Sequence, residues 1–487
     1  MNRQQVVATM RTAMARGRWQ DAIKVANHWR GQGGRDWQIT LNLAVCLSRS
    51  RSAPDQTILA LGNEALHQSA GQGIARLGVA DLALASGAYE QALQLLAPVS
   101  NASLCSNPWP LIELRVQALA RLGESGMAER TLAEWPEAQR DWRWRMASAD
   151  LQVQENNWTA AEVHYREVLK EHPDHVVAHH NLSLTLLSQQ RWQEGWEHYE
   201  WRGSNPRLKT NHVPELLPKL ESLSQKTVVV QGEQGIGDQI MTARYLPTLA
   251  AACRKLIVQP DSRLVELFRR SLADHIQVVG KERREATSQD SQLHLGSGSL
   301  PLLCWQRLKQ GSSAARGYLK PDADRVTRWR KELRRQAPNR QNVGIGWLGG
   351  STGAEHRERS LSAADLQQLT REHQAHWIDL QHLPHGWKQL RNRSQQADLR
   401  LLGDPGVDLD ESAALIACLD AVITTRQTVA HIAGAINTSG TVLVPCRKEW
   451  RYCGQEERWS WYPSLQLMHQ KVRGNWREEL KEAIKLI

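Results

Sequence analysis

Phenylalanine occurs once in 487 residues, against 20 tryptophans. Tryptophan is therefore the large aromatic expected in the core. Cysteine is sparse and scattered: seven, at 46, 105, 253, 304, 418, 446 and 453, with no C-x-x-C pair. That spacing suggests neither a zinc site nor a disulfide framework, and points to a reducing compartment. No apolar run approaches the 18 residues of a membrane span, and the first 19 residues contain no apolar core of the signal-peptide kind. A soluble, cytoplasmic protein is expected. The glycine-rich stretch described below lacks both the dinucleotide spacing G-x-G-x-x-G and the G-K-[ST] of phosphate-binding NTPases, so neither class is indicated. The net charge of +10 raises nucleic acid as a partner. The densest basic runs, Lys281–Arg284 and Arg330–Arg335, contain Glu and no aromatics suited to base stacking, so a basic solvated surface is the expectation and no nucleic-acid partner.

What the chain has is a repeat followed by an α/β pattern. Trp158, Ala161 and Tyr165 recur as Trp192, Gly195 and Tyr199, displaced by 34. Gly87-x-Tyr89-x-x-Ala92 matches Gly17-x-Trp19-x-x-Ala22. Thr57 lies near an intermediate position, and Ala128 falls between Ala92 and Ala161. Anchors near 22, 57, 92, 128, 161 and 195 define about six helical hairpins over residues 1–205, with the tetratricopeptide (TPR) period. Such an array holds a peptide or protein on its concave surface. A scaffold or dimerisation arm is the equal alternative. His172, His175, His179 and His180 are expected at a turn and a helix start rather than on a metal.

Residues 206–226 carry three prolines and no periodicity and read as a linker. Strands and helices then alternate. Thr227–Gln231 is a β-branched strand, followed by Gly232, Gly235 and Gly237 and by Asp238 at a helix cap. The glycines would let a ligand approach the backbone over a helix N-terminus. Further strands are expected at 255–259, 275–280 and 292–296, and helices at 238–252, 262–272 and 322–335. A second unit has strands at 343–347, 377–380, 399–402, 421–425 and 441–445, helices at 410–418, 428–435 and 475–487, and a capping box at Ser362-x-x-Asp365. Two doubly wound units, 227–335 and 336–487, place ligands outside the carboxyl ends of their strands.

Three segments resemble one family. They are Gly232-Glu-Gln-Gly-Ile-Gly-Asp238 with Ala243–Pro247; Val343-Gly-Ile-Gly-Trp347 with Arg357-x-Arg359-Ser360-Leu361; and Ala413–Asp420, Thr428–Ala435, Trp450-Arg-Tyr452 and Trp461-Tyr-Pro463. In this order residues 227–487 look like the two-Rossmann (GT-B) glycosyltransferases fused to TPRs in bacteria, relatives of the heptosyltransferases with an architecture analogous to protein O-GlcNAc transferase. The resemblance implies a TPR α-solenoid followed by a GT-B fold, 227–335 facing the acceptor and 336–487 the nucleotide sugar. It implies a glycosyltransferase whose donor is a substrate, with neither cofactor nor metal.

The diphosphate leaving group needs cations and helix N-termini. Thr425, Gln427 and Thr428 stand at the start of the helix that carries His431, with Arg359 as the cationic partner and Arg357 and Arg451 in reserve. Thr428 as a mere cap and His431 as a core residue are the alternatives. The resemblance gives Asp238 as general base; the alternative is a cap that orders the glycine loop. Relatives often have Asp-Thr or Asp-Ser where this chain has Arg426-Gln427, which either strengthens phosphate binding or marks altered specificity or lost activity. A protein acceptor on the repeats is the first expectation, a surface or motility protein being suggested by repeat-fused relatives implicated in flagellin glycosylation. A polysaccharide or lipid-linked acceptor, or an inactive scaffold, are the others.

Overall fold

The computed structural model describes residues 1–50, 52–100, 107–204, 217–280, 293–309, 317–349, 359–381, 408–453 and 458–487. They form two compact units, one of Met1–Glu167 and one from Val168 onward.

Among the described residues, the chain up to Tyr199 folds into twelve α-helices: α1 (Arg3–Ala15), α2 (Trp19–Gly31), α3 (Trp37–Ser50), α4 (Asp55–Gln68), α5 (Gly73–Ala85), α6 (Tyr89–Leu96), α7 (Trp109–Leu122), α8 (Ser125–Ala133), α9 (Trp142–Gln154), α10 (Trp158–Glu171), α11 (Val176–Ser188) and α12 (Trp192–Tyr199). The small residue of the repeat is the fourth of every even-numbered helix except α4. Ala22, Ala92, Ala128 and Ala161 are fully buried there. At Gly195 a Cβ would lie 2.8 Å from Leu187 Cδ2, so only glycine lets α12 approach α11 this closely. In α4 the equivalent residue is the buried Ile58, and Thr57 beside it is exposed. Two residues before α2, α6, α8, α10 and α12 the backbone turns left-handed, at Gly17, Gly87, Gly123, Asn156 and Gln190. The repeat thus carries a second periodic signal in these residues.

From β1 onward the chain builds two sheets. Parallel strands β1 (Thr227–Gln231), β2 (Lys255–Gln259), β3 (Gln277–Val278) and β4 (Leu293–Gly296) lie in the order β3-β2-β1-β4. The second sheet contains β5 (Asn342–Gly346), β6 (His376–Asp379), β7 (Ala421–Thr425), β8 (Gly440–Val444), β9 (Arg458–Trp459) and β10 (Tyr462–His469), in the order β6-β5-β7-β8-β10-β9. Edge strand β9 is antiparallel to β10; the other pairings in this sheet are parallel. The chain is therefore a TPR-like helical array followed by two Rossmann-like α/β sheets. One core runs through Val228, Val230, Leu256, Val258 and Leu295 of the first sheet and Val422, Val442 and Leu465 of the second. Val343, Ile345, Trp347, Ile423, Leu443 and Trp476 form another on the opposite face of the second sheet. Tryptophan supplies the large buried aromatics, among them Trp196, Trp347 and Trp459.

Several expectations are corrected. The helix expected over 238–252 is two, Ile236–Ala243 and Leu246–Ala250, because Pro247 lacks an N–H and its ring opposes the carbonyl one turn back. The expected linker ends in a 3₁₀ turn, Leu220–Leu223, whose two leucines are buried. Residues 205–216 lie outside the described residues, as does the strand expected at 399–402. Strand β10 was not expected, since Pro463 argues against a strand. It is accommodated at the second residue of β10, where the register with β9 shifts. Ser362 caps the helix Ala363–Glu372 through the expected capping box with Asp365. No described helix is long and apolar enough to cross a membrane.

Candidate active site

The first wall is the glycine loop after β1. Gly232 N–H continues the ladder to Gln259 O at 2.8 Å, and the chain then reverses through Gln234 in the left-handed region, φ 58°. Gly235 is the N-cap of the helix Ile236–Ala243. Asp238 is its third residue rather than its cap, and Oδ2 accepts from Gly235 N–H at 3.2 Å. Its other oxygen, Oδ1, accepts from Arg451 Nε at 2.9 Å and also from Arg451 Nη2.

Two of the three glycines are closely packed against side chains. A Cβ at Gly232 would collide with the Gln239 carboxamide. One at Gly237 would lie 2.5 Å from His431 Cδ2. Gly237→Ala is expected to cost about 1–3 kcal/mol by overpacking this contact, read as a lower urea midpoint at unchanged slope.

The loop is held from behind by Arg202, which is fully buried just beyond α12. Its Nε and Nη2 donate to Glu233 Oε1 at 3.0 and 2.6 Å, and Nη1 donates to Glu200 Oε1 at 2.7 Å. Ser299 Oγ accepts from Arg202 Nη2 and donates to Glu200 Oε2, both at 2.8 Å. Gly298 N–H adds a bond to Glu233 Oε1 at 2.7 Å. The hydroxyl of Tyr199, on α12, bonds the Gln234 carboxamide at 2.9 Å. Trp196, Tyr199, Glu233, Asp238 and Trp450 line a small cavity. Glu200, Arg202 and Ser299 were missed from sequence. The signal lay at Arg202, which stands 34 residues after the buried Val168 of the preceding copy and puts a charge at an apolar position of the repeat.

The second wall lies at the carboxyl ends of the second sheet. Thr425 is buried and its Oγ1 has no hydrogen-bond partner among the described residues. Gln427 is the N-cap of the helix Thr428–Ala435 and makes no side-chain cap bond. Instead its Nε2 donates to Gln381 Oε1 at 3.3 Å, and Gln381 Oε1 also accepts from Leu348 N–H at 2.8 Å. Thr428 is the first helical residue, not the cap. His431 is 5 % exposed, with its ring nitrogens 3.2 Å from the Tyr462 hydroxyl and 3.5 Å from that of Tyr452. Burial pushes its pKa down to about 4, so the imidazole is neutral. It is placed in the core among tyrosines.

Cations gather on the segment after β8. Arg359 is ion-paired with Glu449, and Arg426 Nη1 lies 3.4 Å from Glu449 Oε1. Burial acts to raise the Glu449 pKa, but Arg426, Arg359, Arg451 and Arg447 outweigh it and hold the carboxyl at about 2. Arg451 stacks 4.5 Å above the Trp450 ring, and its pKa is raised because Asp238 overrides the effect of burial. Arg451, a reserve from sequence, is thus the arginine at Asp238. Arg357 lies outside the described residues. Among the described residues no three His, Cys, Asp or Glu side chains gather as a metal-binding group.

No protein-family model matches the chain. It is 27% identical over 325 residues to Protein FlbA of Caulobacter vibrioides, a match covering 60% of this chain and 51% of that protein. The chain thus spans about half the length of the curated relative it matches. Similar solved structures include, over the α/β region, a glycosyl transferase family 9 protein from Veillonella parvula (10% identity, 54% of this chain and 97% of that one, TM-score 0.40). The E. coli ADP-heptose lps heptosyltransferase II is another (14%, 53% and 98%, TM-score 0.37). Over the helical region they include a tetratricopeptide repeat protein from Parabacteroides merdae (16%, 40% and 76%, TM-score 0.31).

Proposed function

We propose that the chain is a glycosyltransferase, moving a sugar from a nucleotide-sugar donor to a hydroxyl of a protein held by the helical repeats. The observation that carries the proposal is the pairing of Asp238, at the carboxyl end of β1, with Arg451 of a cation cluster at the carboxyl ends of the second sheet. A base and a set of guanidiniums in contact are what transfer from a phosphate-activated sugar requires.

In the proposed reaction the acceptor oxygen bonds to the anomeric carbon while the bond from that carbon to the donor phosphate breaks. Asp238 takes the acceptor proton. Arg359, Arg426 and Arg451, with the N-terminus of the helix Thr428–Ala435, receive the charge that develops on the leaving diphosphate. Asp238 and Arg451 separate for this, the carboxylate turning to the acceptor and the guanidinium to the phosphate. These cations take the role a metal has in other transferases, so no metal and no cofactor enter the proposal. Arg426, where relatives often carry Asp, joins the phosphate-binding group in this reading. A cytoplasmic setting is part of the proposal.

The test is a thermal-shift panel of UDP, GDP, ADP, CMP and their sugars on the full chain. A ligand at 100 times its dissociation constant stabilises the folded state by about 2.7 kcal/mol, and one nucleotide family is expected to do so. Absence of any shift would overturn the transferase reading in favour of a scaffold. A bound donor whose sugar passes to a polysaccharide or lipid-linked acceptor, and to no protein, would overturn the acceptor assignment.

A further inference from the structure

Glu449 stands where a phosphate would be useful. Arg359 comes from the chain after β5 and Arg426 from the turn after β7, and both direct guanidinium nitrogens at Oε1 of this one carboxylate. Arg447 and Arg451, on Glu449's own segment, add to the same field. Two residues along, Arg451 is paired with Asp238. Carboxylate and phosphate oxygens are recognised by guanidinium in the same way, through short charge-assisted bonds. Four guanidiniums without an anion would repel one another at this separation. Glu449 is ion-paired with Arg359 and Arg426, and Asp238 with Arg451.

We propose that Glu449 is an internal counter-anion that occupies the phosphate position among Arg359 and Arg426 in the empty protein and is displaced when a diphosphate binds. The proposal rests on the transferase reading for its ligand, and it makes Glu449 a determinant of donor affinity rather than a catalytic residue. Because Glu449 and Arg451 share one short turn, Trp450–Tyr452 with Tyr452 N–H bonded to Glu449 O at 2.8 Å, expelling the carboxylate also draws on the arginine that holds Asp238. Donor binding and release of the base are then one movement.

The experiment measures binding of inorganic pyrophosphate, and of the nucleotide panel, to the full chain and to Glu449→Gln and Glu449→Asp at fixed ionic strength. Removing a competing charge-assisted pair is expected to tighten pyrophosphate binding in Glu449→Gln by about tenfold or more. Glu449→Asp, which keeps the charge on a shorter arm, is expected to fall between it and the parent. Unchanged or weaker binding in Glu449→Gln would show that the carboxylate holds the arginines in place for the ligand, and would overturn the proposal. If Glu449→Gln does not fold, weaker binding in Glu449→Asp than in the parent overturns it equally, and tighter binding supports it. Pyrophosphate binding that tightens while no nucleotide binds any variant would sink the transferase reading and leave the counter-anion in place.

Discussion

Asp238→Asn is expected to lower turnover by about 10²–10⁴-fold with saturating donor, the range for removal of a general base. The substitution is informative because it separates the two things Asp238 does. Asparagine still offers an oxygen to Gly235 N–H, so the bond that closes the glycine loop survives. What is lost is the carboxylate, and with it the proton acceptor and the charge pair with Arg451. Donor affinity should therefore hold or rise, because Arg451 is freed for phosphate. A collapse of both turnover and donor affinity would indicate that the loop itself had changed. Turnover within a few fold of the parent would dismiss the base role and leave Asp238 as the residue that orders the loop. Initial rates and nucleotide thermal shifts on the same preparation distinguish these results.

Arg202→Met is expected to destabilise the unit containing both sheets by about 3–5 kcal/mol, the cost of leaving a buried charge without its partner. Glu233 and Glu200 are 8 % and 9 % exposed, and both take their charged partner from Arg202. Glu233 Oε2 has no hydrogen-bond partner among the described residues, so little remains to solvate the carboxylate once the guanidinium is gone. Methionine fills a similar volume, which makes charge rather than space the variable. Adding Glu233→Gln to Arg202→Met is expected to recover a large part of the loss. Urea denaturation of the two variants measures it, and a loss under about 1 kcal/mol for the single change would mean that the network is already open to water.

Local pattern accounted for much of this. The β-branched run before the first glycine, the 34-residue period and the Ser362–Asp365 box are all short-range, and each is found where its chemistry places it. The site was only half legible because its pairings are long-range. Arg202 meets Glu233 across 31 residues, Glu200 meets Ser299 across 99, and Arg451 meets Asp238 across 213. No spacing rule reaches that far. His431 shows the same limit. Its place one turn into a helix suggests a ligand, but the direction of its ring is set by Tyr452 and Tyr462 from other segments. A second periodic feature, the left-handed residue before five of the six even-numbered helices, was present in the sequence but hidden by the mixture of Gly, Asn and Gln that fills it.

The position of Arg202 bears on how such a chain can be re-engineered or recombined. A helical array looks like an exchangeable cassette, to be traded for another with a different client. Its natural seam would be the end of the repeat pattern, near residue 205. That seam is false. Cutting there would carry off Trp196 and Tyr199, which wall the cavity beside Asp238, and the guanidinium that braces Glu233. The final hairpin, α11 and α12, belongs to the repeat by its pattern and to the two sheets by its side-chain contacts. A viable chimera has to inherit it together with the sheets.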